Sequence, residues 1–361
     1  MRIAIVNSVP ANLQMLRRIV SAGGHEIVWV ALNGADAVER CVDDRPDLVL
    51  IDLILPVMDG VQATAAIMKR SPCAILFLTT SVTENAAKLF EAMGYGALDA
   101  VRAPALGPGG GTEGSQALLA KIATIGKLIG AQREPAPAAK PKAPPRGGHL
   151  PILIALASST GGPKALAAIL ASLPNQQDVA ITIVQHLDMQ FSGGLAEWLG
   201  EQSHFRVVLA REGMRIQPGA AFLASTNDHL VLDRDLTLRY TPEPAANPYR
   251  PSVDVFFASL RDNWPEPGIA VLLTGMGNDG AAGLLALREA GWHTIAQDRD
   301  SSVIYGMPAA AARIGAAAEI LPLPEIAPAI LRQLDRKRTA YAARDERIPF
   351  DGPSNQNSAR R

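Results

Sequence analysis

Short, mostly apolar runs, each followed by a segment with helical spacing, recur along the whole of this chain. RIAIV, LVLID, AILFLT, ILIALAS, AITIVQ and IAVLLT are among them. Such runs are too short for buried helices and have no polar face, so they read as strands covered on both sides. Two parallel strands need a crossover, usually a helix, and strands alternating with helices therefore imply parallel sheets. In open sheets of that kind chemistry gathers beyond the carboxyl ends of the strands. The side chains that close these runs are thus the first place to look for function.

The alternation falls into two blocks. In residues 1–130, strands are expected at 2–7, 27–31, 48–52, 74–79 and 97–101, with helices at 12–21, 34–43, 61–69, 86–93 and 115–129. This predicts a (βα)5 parallel sheet with helices on both faces. The stretch PAPAAKPKAPPRGG, from Pro135 to Gly148, has nothing to build a core from, and residues 131–149 read as an extended linker. In residues 150–337, strands at 152–157, 180–185 and 269–274 and helices from Pro163 and over 281–290 predict a second doubly wound α/β domain, also mainly parallel. Short strands at 220–223, 229–232 and 236–240 are expected to form a small antiparallel excursion. Residues 338–361 are polar and aperiodic and read as a disordered tail.

Composition bounds the function classes. With 361 residues, 48% of them hydrophobic, the chain can fill two cores. A net charge of -1 supplies no basic field for nucleic acid or an anionic membrane. No apolar run approaches the roughly 20 residues that span a bilayer, so no membrane insertion is expected. The opening MRIAIVNSVP lacks the features of a secretory signal. Cys41 and Cys73 are far apart in sequence and belong to no zinc-spaced cluster, which fits a reduced, cytoplasmic setting.

Three residues that follow apolar runs carry chemistry in the second block. Ser159, in ILIALASSTGGPKAL, sits at a small-residue turn between strand and helix. A nucleophile there is exposed above the sheet, near backbone N–H groups able to stabilise an oxyanion. Gly161 and Gly162 leave room for close approach. On its own the serine also reads as a helix N-cap. A phosphate loop is disfavoured, because Pro163 precedes Lys164 and Ala165 stands where a magnesium-binding hydroxyl belongs. His186 ends ITIVQH and is the candidate base, whereas His25, His149, His204, His229 and His293 fall in turns, the linker or less buried contexts. Asp279, in LLTGMGNDGAAGL, is either the carboxylate that orients the imidazole or a helix cap. In the same segment Gly275, Gly277 and Gly280 spell GxGxxG, with Asp298 near the place of a ribose-binding acid, so a dinucleotide-binding oxidoreductase is a rival. That motif comes late in the chain, however, and leaves Ser159 and His186 unexplained.

In the first block Asp52 closes LVLID and precedes LILPVMDG. With the five-fold βα pattern this resembles the receiver domains of two-component signalling. ASSTGGPKAL, VQHLD and LLTGMGNDGAAG, behind such a domain and a linker, resemble the chemotaxis-type protein-glutamate methylesterases over nearly the whole chain to about residue 335. The resemblance implies a Ser159–His186–Asp279 triad and oxyanion donors from the backbone near Thr160 and Met276. It implies hydrolysis of glutamate γ-methyl esters on chemoreceptor helices, glutamine deamidation, and no cofactor for catalysis. It also implies Asp52 as phosphoacceptor from the histidine kinase of a chemosensory array, with Thr80 as the switch hydroxyl and Thr79 its competitor for that register. The pattern departs at three points. Asn7 and Ser8 stand where the family's Mg²⁺-binding acids belong, and Ala103 replaces its lysine, with Arg102 one residue out of register. An amide and a hydroxyl hold a hard cation less well than carboxylates. These changes, with ALDAVRAPALG, are similar to the Wsp-type subgroup, which acts in surface-behaviour pathways. The alternative is a non-catalytic signalling adaptor with a pseudo-receiver.

Overall fold

The computed structural model describes residues 1–79, 86–106, 112–130, 150–174 and 176–345. Thr80 and the linker at 131–149 lie outside the described residues. The first domain runs β1 (Arg2–Val6), α1 (Pro10–Ala22), β2 (Glu26–Ala31), α2 (Gly34–Asp43), β3 (Leu48–Asp52), α3 (Gly60–Arg70), β4 (Ala74–Thr79), α4 (Ala86–Gly94) and β5 (Asp99–Arg102). A two-residue pair, β6 (Ala105–Leu106) and β7 (Thr112–Glu113), precedes α5 (Ser115–Gly130). The sheet is parallel throughout, in the order β2-β1-β3-β4-β5. Polar caps fix the helix starts. Asn33 accepts the Asp36 N–H, and Asp59 with Gln62 forms a capping box.

The second domain runs β8 (Ile152–Ser158), α6 (Gly162–Ser172), β9 (Val179–Gln185), α7 (Met189–Gln202), β10 (Arg206–Leu209), β11 (Met214–Arg215), β12 (Ala220–Leu223), β13 (His229–Leu232) and β14 (Thr237–Thr241). It continues with α8 (Val253–Asn263), β15 (Ile269–Leu272), α9 (Ala281–Glu289), β16 (His293–Gln297), α10 (Met307–Arg313), β17 (Glu319–Leu321) and α11 (Leu323–Asp345). The main sheet has the order β10-β12-β9-β8-β15-β16-β17, with every pairing parallel. From β8 the chain winds outward through β9 on one side and through β15 on the other. The β8–β15 boundary is therefore the switch point at which such sheets open a crevice.

Two expectations need correction. β12 is not part of the antiparallel excursion: all four of its residues are buried, which suits an internal parallel strand, and it lies between β9 and β10. The excursion is β11-β14-β13 instead. Residues 338–345, expected to belong to a tail, are helical, because α11 continues to Asp345, and residues 346–361 lie outside the described residues. Arg338 anchors that helix through paired contacts of 2.7 Å with both oxygens of Asp178.

The domains meet along helices. α4 of the first packs on α6 and α7 of the second. Phe90 and Trp198 stand 5.6 Å apart, and Lys164 Nζ lies 4.9 Å from the centre of the Tyr95 ring. One apolar cluster runs through both domains, joining Phe90 and Met93 to Leu166, Phe191 and Leu195. Among the described residues no helix is long and apolar enough to cross a membrane.

Candidate active site

The turn after β8 has no space for larger residues. A Cβ on Gly162 would fall 2.1 Å from Gln185 Oε1, and Gly161 has a φ of +81°. Gln185 ties this turn to the end of β9. It accepts the Ser158 hydroxyl at 2.6 Å and donates to the carbonyls of Ser159 (2.8 Å) and His186 (3.1 Å). The Ser159 N–H is held by the Thr274 carbonyl at 3.0 Å, so β8, β9 and the segment after β15 converge on the serine.

His186 leaves β9 half-buried, its Nε2 2.8 Å from Asp279 Oδ2 and its ring stacked on Tyr249 at 5.1 Å and 18°. An ionised Asp279 can only accept, so Nε2 carries the proton and Nδ1 remains to act as a base. Ser159, His186, Thr160, Tyr249 and Met276 line one cavity of about 450 Å³. Among the described residues no hydrogen bond joins Ser159 Oγ to the imidazole. Catalytic contacts of this kind often tighten only when substrate binds.

Asp279 is 2% exposed. It does not cap α9, whose N-cap is Gly280. It sits at the start of α8 instead, where Oδ2 accepts the Val253 N–H (2.6 Å) and Oδ1 accepts the Ser252 hydroxyl (2.8 Å) and the Asp254 N–H (3.1 Å). Burial opposes its charge, but the hydrogen bonds from His186, Val253 and Ser252 outweigh that and hold its carboxyl below the usual carboxylate range. His229, expected to be less buried, is fully buried on β13, where Nδ1 accepts the Ser252 N–H at 3.0 Å and steadies the same helix start. Burial keeps its imidazole below the ordinary pKa.

The GxGxxG glycines serve this site. A Cβ on Gly275 would lie 2.7 Å from Ser159 Cβ, one on Gly277 2.0 Å from the Tyr249 hydroxyl, and one on Gly280 2.7 Å from Val253 Cγ1. Protein side chains occupy the space that a pyrophosphate would need. Asp298 accepts the N–H and hydroxyl of Ser301 at 3.0 and 2.6 Å. The dinucleotide reading is therefore rejected. Lys164 faces Tyr95 across the domain boundary rather than a phosphate loop.

Thr160 and Met276 line the cavity, and their backbone N–H groups have no hydrogen-bond acceptor among the described residues. Leu98, Val101, Ala117, Lys121 and Ile125 of the first domain wall the other side. Lys121 Nζ lies 2.7 Å from Asp99 of its own domain and 3.7 Å from Asp188, two residues past His186. Burial disfavours the ammonium, but the two carboxylates outweigh it and raise its pKa.

In the first domain, half-buried Asp52 ends β3 as expected. Asn7 turns its amide N–H₂ toward Asp52 Oδ2 at 3.0 Å, while its Oδ1 accepts the Val9 N–H at 2.9 Å. Burial raises the Asp52 carboxyl above its ordinary pKa despite hydrogen bonds from Ile54, Leu53 and Asn7. A donor thus faces the carboxylate where a hard cation requires oxygen, and no group of three or more His, Cys, Asp or Glu suited to a metal exists among the described residues. The residues here do not fit Mg²⁺. Arg102 is exposed and Ala103 half-buried, so neither supplies the absent lysine.

Tyr249, Ser252, Asp254, His229 and Gln185 were missed by sequence reasoning. Most lie in or beside the loop before α8, which has no strand period to mark it.

Two family models match the chain, the response regulator receiver domain over residues 3–105 and the CheB methylesterase over residues 154–330. A protein-glutamate methylesterase/protein-glutamine glutaminase of Burkholderia thailandensis is 52% identical over 94% of this chain and 99% of its own length. One of Pseudomonas syringae pv. syringae is 51% identical over 92% of this chain and 98% of its own. A crystal structure of the Thermotoga maritima CheB methylesterase catalytic domain is 31% identical, with a TM-score of 0.49, over 51% of this chain and 98% of its own. With a receiver fold ahead of a serine, histidine and aspartate gathered at one crevice, and relatives matched nearly end to end, this chain belongs to the protein-glutamate methylesterase/protein-glutamine glutaminase family of hydrolases.

Proposed function

We propose that this chain hydrolyses γ-methyl esters of glutamates on the cytoplasmic helices of a chemoreceptor, releasing methanol, and deamidates glutamines there. The observation that carries the reading is the 2.8 Å contact of His186 Nε2 with buried Asp279, in the cavity that Ser159 lines. Ser159 Oγ attacks the ester carbonyl while His186 Nδ1 takes its proton, and Asp279 stabilises the imidazolium. The N–H groups of Thr160 and Met276 receive the oxyanion. Collapse expels methanol, which takes the proton from His186. Water, activated by the same imidazole, then attacks the acyl-enzyme and frees glutamate. With a glutamine side chain ammonia leaves instead. No step needs a cofactor.

The receiver domain regulates this chemistry from the far wall of the cavity, with Asp52 as the phosphoacceptor and the histidine kinase of a chemosensory array as donor. The Asn7 amide facing Asp52 supports weak, metal-poor phosphorylation. Thr80 is the switch hydroxyl in this reading. The Wsp-like receiver sequence extends it to a cytoplasmic pathway governing surface behaviour. Methanol release from methyl-labelled receptor membranes tests the proposal. The intact chain should release methanol and Ser159→Ala should not. Equal release by both would remove the serine from the reaction, and release by neither would favour the adaptor.

A further inference from the structure

A second aspartate adjoins Asp279, and its backbone meets Oδ1 rather than the oxygen that meets His186. Asp254, in the first turn of α8, donates its backbone N–H to Asp279 Oδ1 at 3.1 Å. Its side chain reaches α9, where Oδ1 accepts the Gly283 N–H at 2.7 Å. The Asp254 carboxyl also comes within hydrogen-bonding reach of the Asp279 carboxylate. Two adjacent ionised carboxylates, one of them fully buried, repel at high cost, so one of them keeps a proton. The surroundings decide which. Asp279 has fixed donors in Val253, Ser252, the Asp254 backbone and the imidazole. Asp254 has only backbone N–H groups of Gly280 and Gly283, and burial together with the Asp279 charge pushes its carboxyl up to about 7.

We infer that Asp254 is a positioning residue of the esterase, whose protonated carboxyl donates to Asp279 and whose ionisation loosens the hold of Asp279 on His186. The inference rests on the esterase reading above. It gives the triad a proton-dependent support outside the three reacting side chains. The other groups that face the pair are few. His186 lies beyond Asp279. From β13 comes His229, buried and held by Ser252. From the loop before α8 comes the Tyr249 phenol, raised by burial and by both carboxylates. α9 meets Asp254 with the backbone of Gly283.

Asp254→Asn keeps a donor toward Asp279 and an acceptor for Gly283 at every pH. Methanol release by the full-length wild type and by D254N should be compared across neutrality. The ratio of variant to wild-type rate should rise about fivefold between about pH 6 and pH 8.5, the equivalent of one ordinary hydrogen bond. A ratio that stays flat, whatever its size, would reduce Asp254 to a structural cap and overturn the inference. A second readout needs no substrate. With aspartate labelled at the carboxyl carbon, the wild type should show one signal titrating near neutrality that is missing from D254N. If every aspartate titrates in the ordinary acidic range, the inference is wrong. If the neutral signal is present but the wild type releases no methanol, the esterase reading fails, and the role of Asp254 in that reaction fails with it.

Discussion

Asp279 accepts at both oxygens, from His186 and Val253 at one and from Ser252 and Asp254 at the other. An asparagine there must turn its N–H₂ against donors whichever way it is placed. If the amide faces His186, it stabilises the tautomer with the proton on Nδ1, which cannot accept from Ser159. Asp279→Asn is therefore expected to lower kcat by on the order of 10³- to 10⁴-fold, and to cost about 1–3 kcal/mol of stability through unmatched donors. Methanol-release kinetics and chemical denaturation check the two effects separately, and full activity in this variant would sink the triad assignment. Asp254 contributes to stability with the opposite sign to an ordinary salt-bridged carboxylate. Its folded pKa lies above the unfolded value, so its contribution is complete below about pH 4 and is lost as pH rises toward 7. Asp254→Asn should accordingly raise Tm at about pH 8 and leave it little changed at about pH 4, as scanning calorimetry would show. Ser159, His186 and Asp279 could be singled out in the sequence because each follows a buried apolar run, and the structure brings His186 to Asp279 and to the cavity that Ser159 lines. Tyr249, Ser252 and Asp254 could not, since the first two lie in a loop without strand or helix period and the third opens α8, a helix the sequence pattern did not mark. His229 was misjudged because a four-residue strand gives too little pattern to reveal complete burial.

At the scale of elements, the site is built from three strand ends and one helix start. α8 brings its first N–H groups to Asp279, and the positive end of its dipole adds to them. The glycine-rich segment after β15 was the most ambiguous part of the sequence, because its spacing alone fits a pyrophosphate cradle. What separates the readings is the identity of the neighbours, which spacing does not encode. Gly277→Ala tests this assignment. Its Cβ would meet the Tyr249 hydroxyl at 2.0 Å, at a backbone φ of +86°. The substitution should cost about 2–4 kcal/mol, from left-handed strain and overpacking together. It should also slow the esterase by moving Tyr249 off the imidazole. Unchanged stability in urea denaturation would contradict the packing argument. The main parallel strands and most helices of the first domain were readable from periodicity. The place of β12 was not, since four apolar residues fit an excursion as well as a core strand, and only their burial on both faces decides.

Over the whole molecule, the first domain supplies one wall of the cavity that Ser159 and His186 line. Lys121 bridges Asp99 and Asp188, and α4 buries Phe90 against the second domain. Residues 150–361 alone should therefore release methanol faster than the intact chain. Lys121→Met should move the intact chain part of the way, because Asp99 and Asp188 would then repel across the boundary. An increase of about fivefold for Lys121→Met corresponds to roughly 1 kcal/mol of lost closure. A rate equal to wild type would show that the bridge does not hold the domains together. The two-domain plan could be read from the Pro/Ala-rich stretch, but the way the domains meet could not. The contact joins residues as far apart in the chain as Lys121 and Asp188 or Phe90 and Trp198, and no local pattern announces such a pairing.

The fit of α4 to its neighbours also limits how such a chain can be rebuilt. Lys164 lies across Gly94, where any added side chain would strike it, and Ala86 lies 3.2 Å from the place of a side chain on Gly194. A foreign receiver grafted ahead of this hydrolase would carry its own residues at those points. Such a graft would lack the matched contacts by which α4 packs on α6 and α7. Exchanging one half of this chain therefore calls for recasting the facing surface of the other.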